Sequence, residues 1–171
     1  MLDGGAPPEV IKRAVTFQQR WGGLVLPPAP EYEGGPLILE AGFPEPGPSG
    51  EWYFGAGSVR ATVPYEFVVG PQNEFGIGTH VWTVLHATVD GWVESVALAY
   101  HAAWTARRVT RVRGAEVDDI DLDGFEPVRA AWWCGPDGVI AIHRGEAELL
   151  GDPALKVTRV YEGVTLDGWE D

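Results

Sequence analysis

The chain has 171 residues, of which 12 are Lys or Arg and 25 are Asp or Glu, so the formal net charge is −13 with His neutral. A chain of this length buries roughly 70% of its unfolded surface, which is enough for one core without a disulfide or a metal. The acidic balance argues against duplex nucleic acid and anionic membrane surfaces as partners, because both attract clustered Lys and Arg.

The sequence also indicates a compartment. The single cysteine, Cys134, cannot form an internal disulfide, which fits a reducing environment. The N-terminus lacks the basic and apolar regions of a secretion signal. The longest nearly apolar run, residues 96–104, is about half the length of a membrane-spanning helix. We therefore expect a cytoplasmic protein without membrane contact.

The first predicted element is a helix that begins near Pro7 and Pro8, which suit a first helical turn. Apolar residues follow at spacings of four, three and four, and two neighbours widen the stripe, which comprises Val10, Ile11, Ala14, Val15, Phe17 and Trp21. The residues expected to face away from the stripe are Lys12, Arg13, Gln19 and Arg20. The pattern predicts an amphipathic helix that packs on the rest of the domain.

Two glycines mark the end of this helix. Gly22 fits the left-handed position that terminates many helices. Residues 24–26, Leu-Val-Leu, then predict a short buried strand that Pro27 and Pro28 stop. The segment therefore predicts a helix followed directly by the first strand.

Asp90-Gly91 gives the clearest turn signal, because this dipeptide favours the type I′ turn of a two-residue hairpin. We predict on this basis a hairpin between residues 81–89 and 92–100. Its polar face would carry His80, Trp82, His86 and His101. A helix is the competing interpretation, because residues 93–104 also contain a helical apolar stripe and four alanines, which favour helix over strand.

Three later segments complete the predicted architecture. They are a strand at residues 109–112, a hairpin joining residues 131–133 to 139–142, and a last strand at residues 156–161. Residues 163–171 are expected to be a frayed acidic tail. We predict that residues 1–171 form a single α+β domain, in which the N-terminal helix packs on a mainly antiparallel twisted sheet.

An acidic stretch lies between these segments, and its carboxylates are Glu116, Asp118, Asp119, Asp121, Asp123 and Glu126. Residues 119–124 match the opening of a calcium loop, in which alternate oxygens converge on a hard cation. The match then fails, because Ala130 stands where the bidentate Glu belongs and Pro127 occupies the ninth position. We predict no metal, and both a solvated turn and a protein-contact surface fit the pattern.

No catalytic set is evident in the sequence. His80 and His101 would lie opposite each other in the predicted hairpin, but tetrahedral zinc needs further ligands and the only cysteine is far along the chain. Cys134 has no nucleophile motif around it and is expected to be a buried small hydrophobe. We predict no catalytic residues and no cofactor, with a small metal-dependent hydrolase that uses His80 and His101 as the alternative.

Tryptophan is frequent, with eight copies. Trp132 and Trp133 are adjacent in a predicted strand and therefore point to opposite faces of it. One of the two is thus predicted to meet solvent or a partner, where aromatic side chains commonly act as interface anchors.

The segment Phe17-Gln-Gln-Arg-Trp21-Gly22-Gly23, followed by Leu24-Val-Leu-Pro-Pro28, resembles the N-terminal signature of the SUKH superfamily. In that family an aromatic residue, a short polar stretch and an aromatic-Gly-Gly step close a helix before the first strand. Asp90-Gly91-Trp92-Val93 is similar to a sheet turn of the same family. The resemblance implies an α+β binding domain without catalytic residues, and bacterial members commonly serve as immunity proteins that neutralise a cognate toxin domain inside the cell.

These observations lead to the prediction of a non-enzymatic immunity protein whose partner is a basic toxin domain, because an acidic surface would steer such a partner toward it. The predicted partner-binding residues are Glu116, Asp118, Asp119, Asp121, Asp123, Glu126, Trp132 and Trp133. A housekeeping scaffold that contacts another cellular protein is a further alternative.

Overall fold

Both helices and antiparallel strands form in a computed structural model that describes residues 5–28, 32, 35–79 and 81–166. The paired strands of these residues are antiparallel throughout and form three sheets. The predicted α+β class with antiparallel strands is therefore confirmed. The backbone divides into two units, Met1–Trp92 and Val93–Asp171, which are described separately below.

The first unit begins with helix α1 (Pro8–Trp21) and ends within the first turn of helix α2 (Val89–Thr105). Its described strands are β1 (Pro36–Leu39), β2 (Pro44–Pro46), β3 (Trp52–Gly55), β4 (Gly57–Val59), β5 (Glu66–Val69), β6 (Phe75–Gly78) and β7 (Trp82–His86). Strands β1 and β4 form a two-stranded ribbon, and the other five pair in the order β2-β3-β5-β6-β7.

The second unit contains α2 from Val93 onward and a five-stranded sheet of order β8-β12-β11-β10-β9. Its described elements are β8 (Arg108–Arg113), β9 (Glu126–Arg129), β10 (Trp132–Gly135), β11 (Gly138–His143), α3 (Gly145–Leu150) and β12 (Val157–Glu162), with 3₁₀ turns at Gly114–Asp119 and Pro153–Leu155. The predicted strand after residue 108, the second hairpin and the last strand are confirmed. The predicted frayed tail is wrong at its start, because Val164 is buried in the core of this unit, and residues 167–171 lie outside the described residues.

Helix α1 packs on the first five-stranded sheet, as predicted. Val10, Ala14 and Phe17 are buried, and the Phe17 ring meets the Phe54 ring edge-on with centroids 5.6 Å apart. The prediction that Ile11 and Val15 widen the buried stripe is wrong, because each of them is 48% exposed. The buried face is thus one row of side chains at spacings of four and three.

Arg13 corrects the expectation that the charged residues of α1 all face away from the sheet. Its side chain is half-buried, and the guanidinium donates hydrogen bonds to the carbonyl oxygens of Gly70 (2.6 Å) and Trp52 (2.9 Å). The same group lies 6.0 Å from the centre of the Phe54 ring. Arg13 therefore connects α1 to strand β3 and to the residue that follows strand β5.

The end of α1 differs from the prediction by one residue. The Gly22 N–H donates to the Gln18 carbonyl at 3.0 Å, and the left-handed residue is Gly23, with φ 86°. The predicted buried strand after it is wrong in its burial, because Leu24 and Val25 are 38% and 63% exposed and only Leu26 of the three is buried. Residues 24–26 form an isolated bridge, between Val25 and Ile38, rather than a strand. The two prolines that follow have no N–H to donate, which limits further pairing.

The predicted hairpin at Asp90-Gly91 is wrong, and the helical alternative is correct. Helix α2 begins at Val89, and the Thr88 hydroxyl accepts a hydrogen bond from the Gly91 N–H at 3.1 Å, as an N-cap does. Asp90 lies in the first turn, where a carboxylate complements the helix dipole. The same dipeptide that favours a turn is therefore compatible with a capped helix start, and the alanine-rich sequence beyond it decides for helix.

Trp92 lies at the centre of the first unit's core and is fully buried. Its ring stacks on Phe75 with centroids 4.7 Å apart, and the rings of Phe67 and His86 lie 5.8 and 5.7 Å away. Gly35 has φ 68°, and a Cβ built there would come within 2.6 Å of the indole. Only glycine suits that position, because the backbone conformation and the close ring both disfavour a side chain.

We expect the substitution Trp92→Ala to lower the free energy of unfolding by about 3–5 kcal/mol, because it leaves a large cavity among aromatic rings. The matched control is Trp104→Ala in the same helix, where the side chain is 80% exposed and the expected change is within about 0.5 kcal/mol. Urea unfolding followed by circular dichroism measures both values. Equal losses in the two variants would contradict this account of the core.

Candidate functional site

The acidic residues predicted from sequence lie on one continuous stretch of the second unit, residues 114–126, which we call the acidic segment. It comprises the 3₁₀ turn Gly114–Asp119, a connection, and the first residue of β9. Its six carboxylate residues are all exposed: Glu116, Asp118, Asp119, Asp121, Asp123 and Glu126. The structure thus brings every acidic residue of the prediction to the protein surface.

Apolar side chains hold the acidic segment against the sheet. Val117 is 1% exposed and packs with Ile140 and Ile142 of β11. The further apolar residues of the segment that pack against this cluster are Ile120, Leu122 and Phe125. Sequence reasoning missed these four, although their placement between the acids was visible. The segment is therefore a covering layer for one face of the sheet, with apolar side chains inward and carboxylates outward.

Local hydrogen bonds shape the middle of the segment. The Asp121 carboxylate accepts a bond from the Asp123 N–H at 2.9 Å, and the Phe125 N–H donates to the Leu122 carbonyl at 3.0 Å. Gly124 has φ 78° and permits the tight turn. Across the described residues, no group of three or more His, Cys, Asp or Glu side chains is arranged to hold a metal ion. The Asp residues of the calcium-like pattern serve here as turn residues.

Asp118 differs from the other five carboxylates in having cationic partners. Lys156 Nζ lies 2.6 Å from one of its oxygens, and Arg144 Nη2 lies 3.6 Å from the other. The hydrogen bond from Lys156 holds the pKa of Asp118 below its ordinary value of 3.8, and the positive charges of Lys156 and Arg144 act in the same direction. Among the described residues, no ion pair involves the other five carboxylates.

The two predicted tryptophan anchors have different environments. Trp132 is fully buried, its indole N–H donates to the Ser95 hydroxyl at 2.9 Å, and its ring stacks on Tyr161. This placement corrects the prediction for Trp132, because a side chain enclosed in the core offers no surface to a partner. Trp133 is half-buried and packs against the Val117 cluster, beside the acidic segment.

The histidines of the alternative prediction are not brought together in the predicted way. His80 lies outside the described residues, and His101 is half-buried on helix α2 rather than on a hairpin strand. His86, predicted on the same polar face, is buried on β7 against Trp92. Cys134, expected to be buried, is half-buried. The proposed pairing of His80 with His101 depended on the predicted hairpin, and helix α2 occupies residues 89–105 in its place. The geometric argument for a shared metal site therefore no longer holds.

Comparisons with known proteins add no family. No protein-family model, no curated protein and no solved structure matches the chain. Within the described residues, none of the helices has both the length and the hydropathy that a membrane-spanning segment requires. The acidic segment therefore stands as the candidate site on its own geometry and charge.

The Asp118 contacts predict a pH effect. Because the pKa of Asp118 is lower in the folded chain, its contribution to stability is present above the ordinary value of 3.8 and is lost as the pH falls from there through the lowered pKa. We expect Lys156→Met to raise this pKa toward 3.8 in an NMR titration of the carboxyl carbons. Arg144→Met is the control, and it should give a smaller rise because its contribution is electrostatic only. An unchanged Asp118 titration in Lys156→Met would contradict the assignment.

Proposed function

We propose that the chain is a non-enzymatic immunity protein, which binds a basic toxin domain in the cytoplasm and neutralises it. One observation carries the proposal: the acidic segment presents five carboxylates without cationic partners among the described residues, on a stretch that one buried and three partly buried apolar side chains hold against the sheet. The function of such a surface is recognition of a positively charged macromolecule.

The fixed backbone favours binding, because a partner does not have to order the segment when it docks. Ordering of loops and side chains at an interface is a recognised cost of association, and a packed surface avoids part of it. Val117, Ile120 and Phe125 supply this order from beneath the carboxylates. The acidic surface is thus preorganised for binding.

The negative net charge supports the proposal because it would speed association with a basic partner. Complementary fields raise the rate at which proteins meet, and the effect weakens as salt increases. The net charge of −13 makes the long-range field of the chain negative. Basic proteins that act on nucleic acid are therefore the class of toxin that fits best.

The resemblance of residues 17–28 to the SUKH signature points to the same class of function. The helix and its glycine end are part of that signature, and α1 closes at Gly22 and Gly23. The resemblance suggests the function of an immunity protein, and the acidic segment is the surface proposed to bind the toxin. A general scaffold would share that surface, so the identity of the partner distinguishes the two functions.

The test of immunity is a growth experiment. The C-terminal domain encoded by the adjoining reading frame is expressed in bacteria with and without this chain. We expect growth arrest by that domain alone and recovery when the chain is present. An adjoining frame that encodes a metabolic enzyme, or an arrest that the chain does not relieve, would refute the proposal.

Charge reversal tests the acidic segment itself. We expect the affinity for the toxin to fall by at least about tenfold when Asp119, Asp121 and Asp123 are all changed to Lys. The reason is that close charge pairs at interfaces contribute about 1.5 kcal/mol or more. The matched control changes Glu40, Glu66 and Glu148 to Lys, since these exposed residues lie outside the segment and the net charge changes equally.

Calorimetric titration of both triple variants against the toxin domain gives the affinities, and thermal unfolding shows that the fold is kept. A decrease of the same size in the control would show that only net charge matters. Full affinity in the segment variant would remove the acidic segment from the binding site.

A further inference from the structure

A cavity of about 390 Å³ lies beside helix α1 within the first unit. Its wall includes three cationic residues of this helix, Lys12, Arg13 and Arg20. The remaining wall is partly polar and partly apolar, and Phe17 and Trp21 are among its apolar residues. Sites for small organic ligands commonly have this size and this combination of apolar walls with a few polar groups.

The helix period brings the cations together. Lys12, Thr16 and Arg20 follow one another at intervals of four residues, so they share one side of α1. Arg13, one residue on from Lys12, also lines the cavity, and its guanidinium donates hydrogen bonds to the carbonyl oxygens of Gly70 and Trp52. The positive groups therefore line a single space rather than separate parts of the surface.

The charge of Arg13 is only partly offset by its surroundings. Both of its hydrogen bonds go to neutral carbonyl oxygens, and among the described residues no carboxylate comes within ion-pairing distance of it. Burial lowers the pKa of Arg13, while the more distant Glu74 and Glu9 oppose that change. An anion in the adjacent space would favour the charged form of Arg13 and so act against the effect of burial.

The other two cations leave the wall positive. Arg20 pairs with Asp90 and stacks over the Trp21 ring at 4.9 Å from its centre. Lys12 is exposed and, within the described residues, has no ion-pair partner. Asp90 thus offsets one of three positive charges that line the cavity, in a chain that is strongly acidic as a whole.

We propose that this cavity binds a small organic anion. Its anionic oxygens lie at Lys12 and Arg13, and its apolar or aromatic body lies against Phe17 and Trp21. Phosphate and carboxylate groups share the required chemistry, since both accept hydrogen bonds from Lys and Arg. The site is independent of the acidic segment and does not rest on the proposed immunity function.

Calorimetry with three probes tests the proposal on the full chain. Phenyl phosphate and benzoate each carry an anionic group on a ring, and benzyl alcohol carries the ring alone. We expect at least one of the two anions to bind, and benzyl alcohol to bind at least about tenfold more weakly, because hydrogen bonds to charged groups are the stronger ones. The tighter of the two anions identifies phosphate or carboxylate as the natural group. The absence of heat with both anions, or equal binding of benzyl alcohol, would overturn the proposal.

Variants locate the binding. Lys12→Met is expected to lower the affinity for the tighter-binding anion by about tenfold. Lys12→Arg keeps the charge and should retain most of that affinity. Arg108→Met is the matched control, because it removes one positive charge from a side chain that is 71% exposed in the second unit. Thermal unfolding checks that each variant keeps its fold. Undiminished affinity in Lys12→Met, or an equal loss in Arg108→Met, would place the anion elsewhere and overturn the proposal.

Discussion

The alternation of side chains along strand β11 is the constraint on which the second unit depends. Val139 and Ala141 belong to one apolar cluster, and Ile140 and Ile142 belong to another on the opposite face. A sheet that is apolar on both faces needs two covers, because either face would otherwise be exposed to water. Residues of α2 cover the first face, and the acidic segment covers the second. The exposed carboxylates are therefore a consequence of how this core is closed.

The sequence correctly predicted the elements for which several local patterns indicate the same secondary structure. Helix α1 has a proline start, an apolar stripe and a glycine end, and the hairpin of β10 and β11 has apolar runs around a Gly-Pro-Asp-Gly turn. Helix α2 was only the second choice, because Asp90-Gly91 favours a turn while the alanines beyond it favour helix. Two rules conflicted there, and the helix preference prevailed, with the Thr88 hydroxyl capping the helix at the Gly91 N–H.

The candidate site was predictable in composition but not in arrangement. The run of acids was visible in the sequence, whereas Lys156 and Arg144 reach Asp118 from distant parts of the chain. The adjacent Trp132 and Trp133 show a similar limit. A strand pattern gives opposite faces, but only the folded sheet shows that both faces are covered, so that neither ring is fully open to solvent. Long-range contacts of this kind have no local signal.

The acidic segment is attached to its sheet in an unusual way. At its start the Gly114 N–H donates to the Lys156 carbonyl, and at its end Glu126 pairs with Cys134 of β10, whereas the hydrogen bonds from the Ile120 and Phe125 N–H groups stay inside the segment. Side-chain packing rather than a strand ladder therefore holds most of it in place. The segment is ordered in the folded state, but fewer backbone bonds must break for it to open briefly than for a paired strand to do so. Its amide protons would therefore exchange with deuterium before those of β11 and β12.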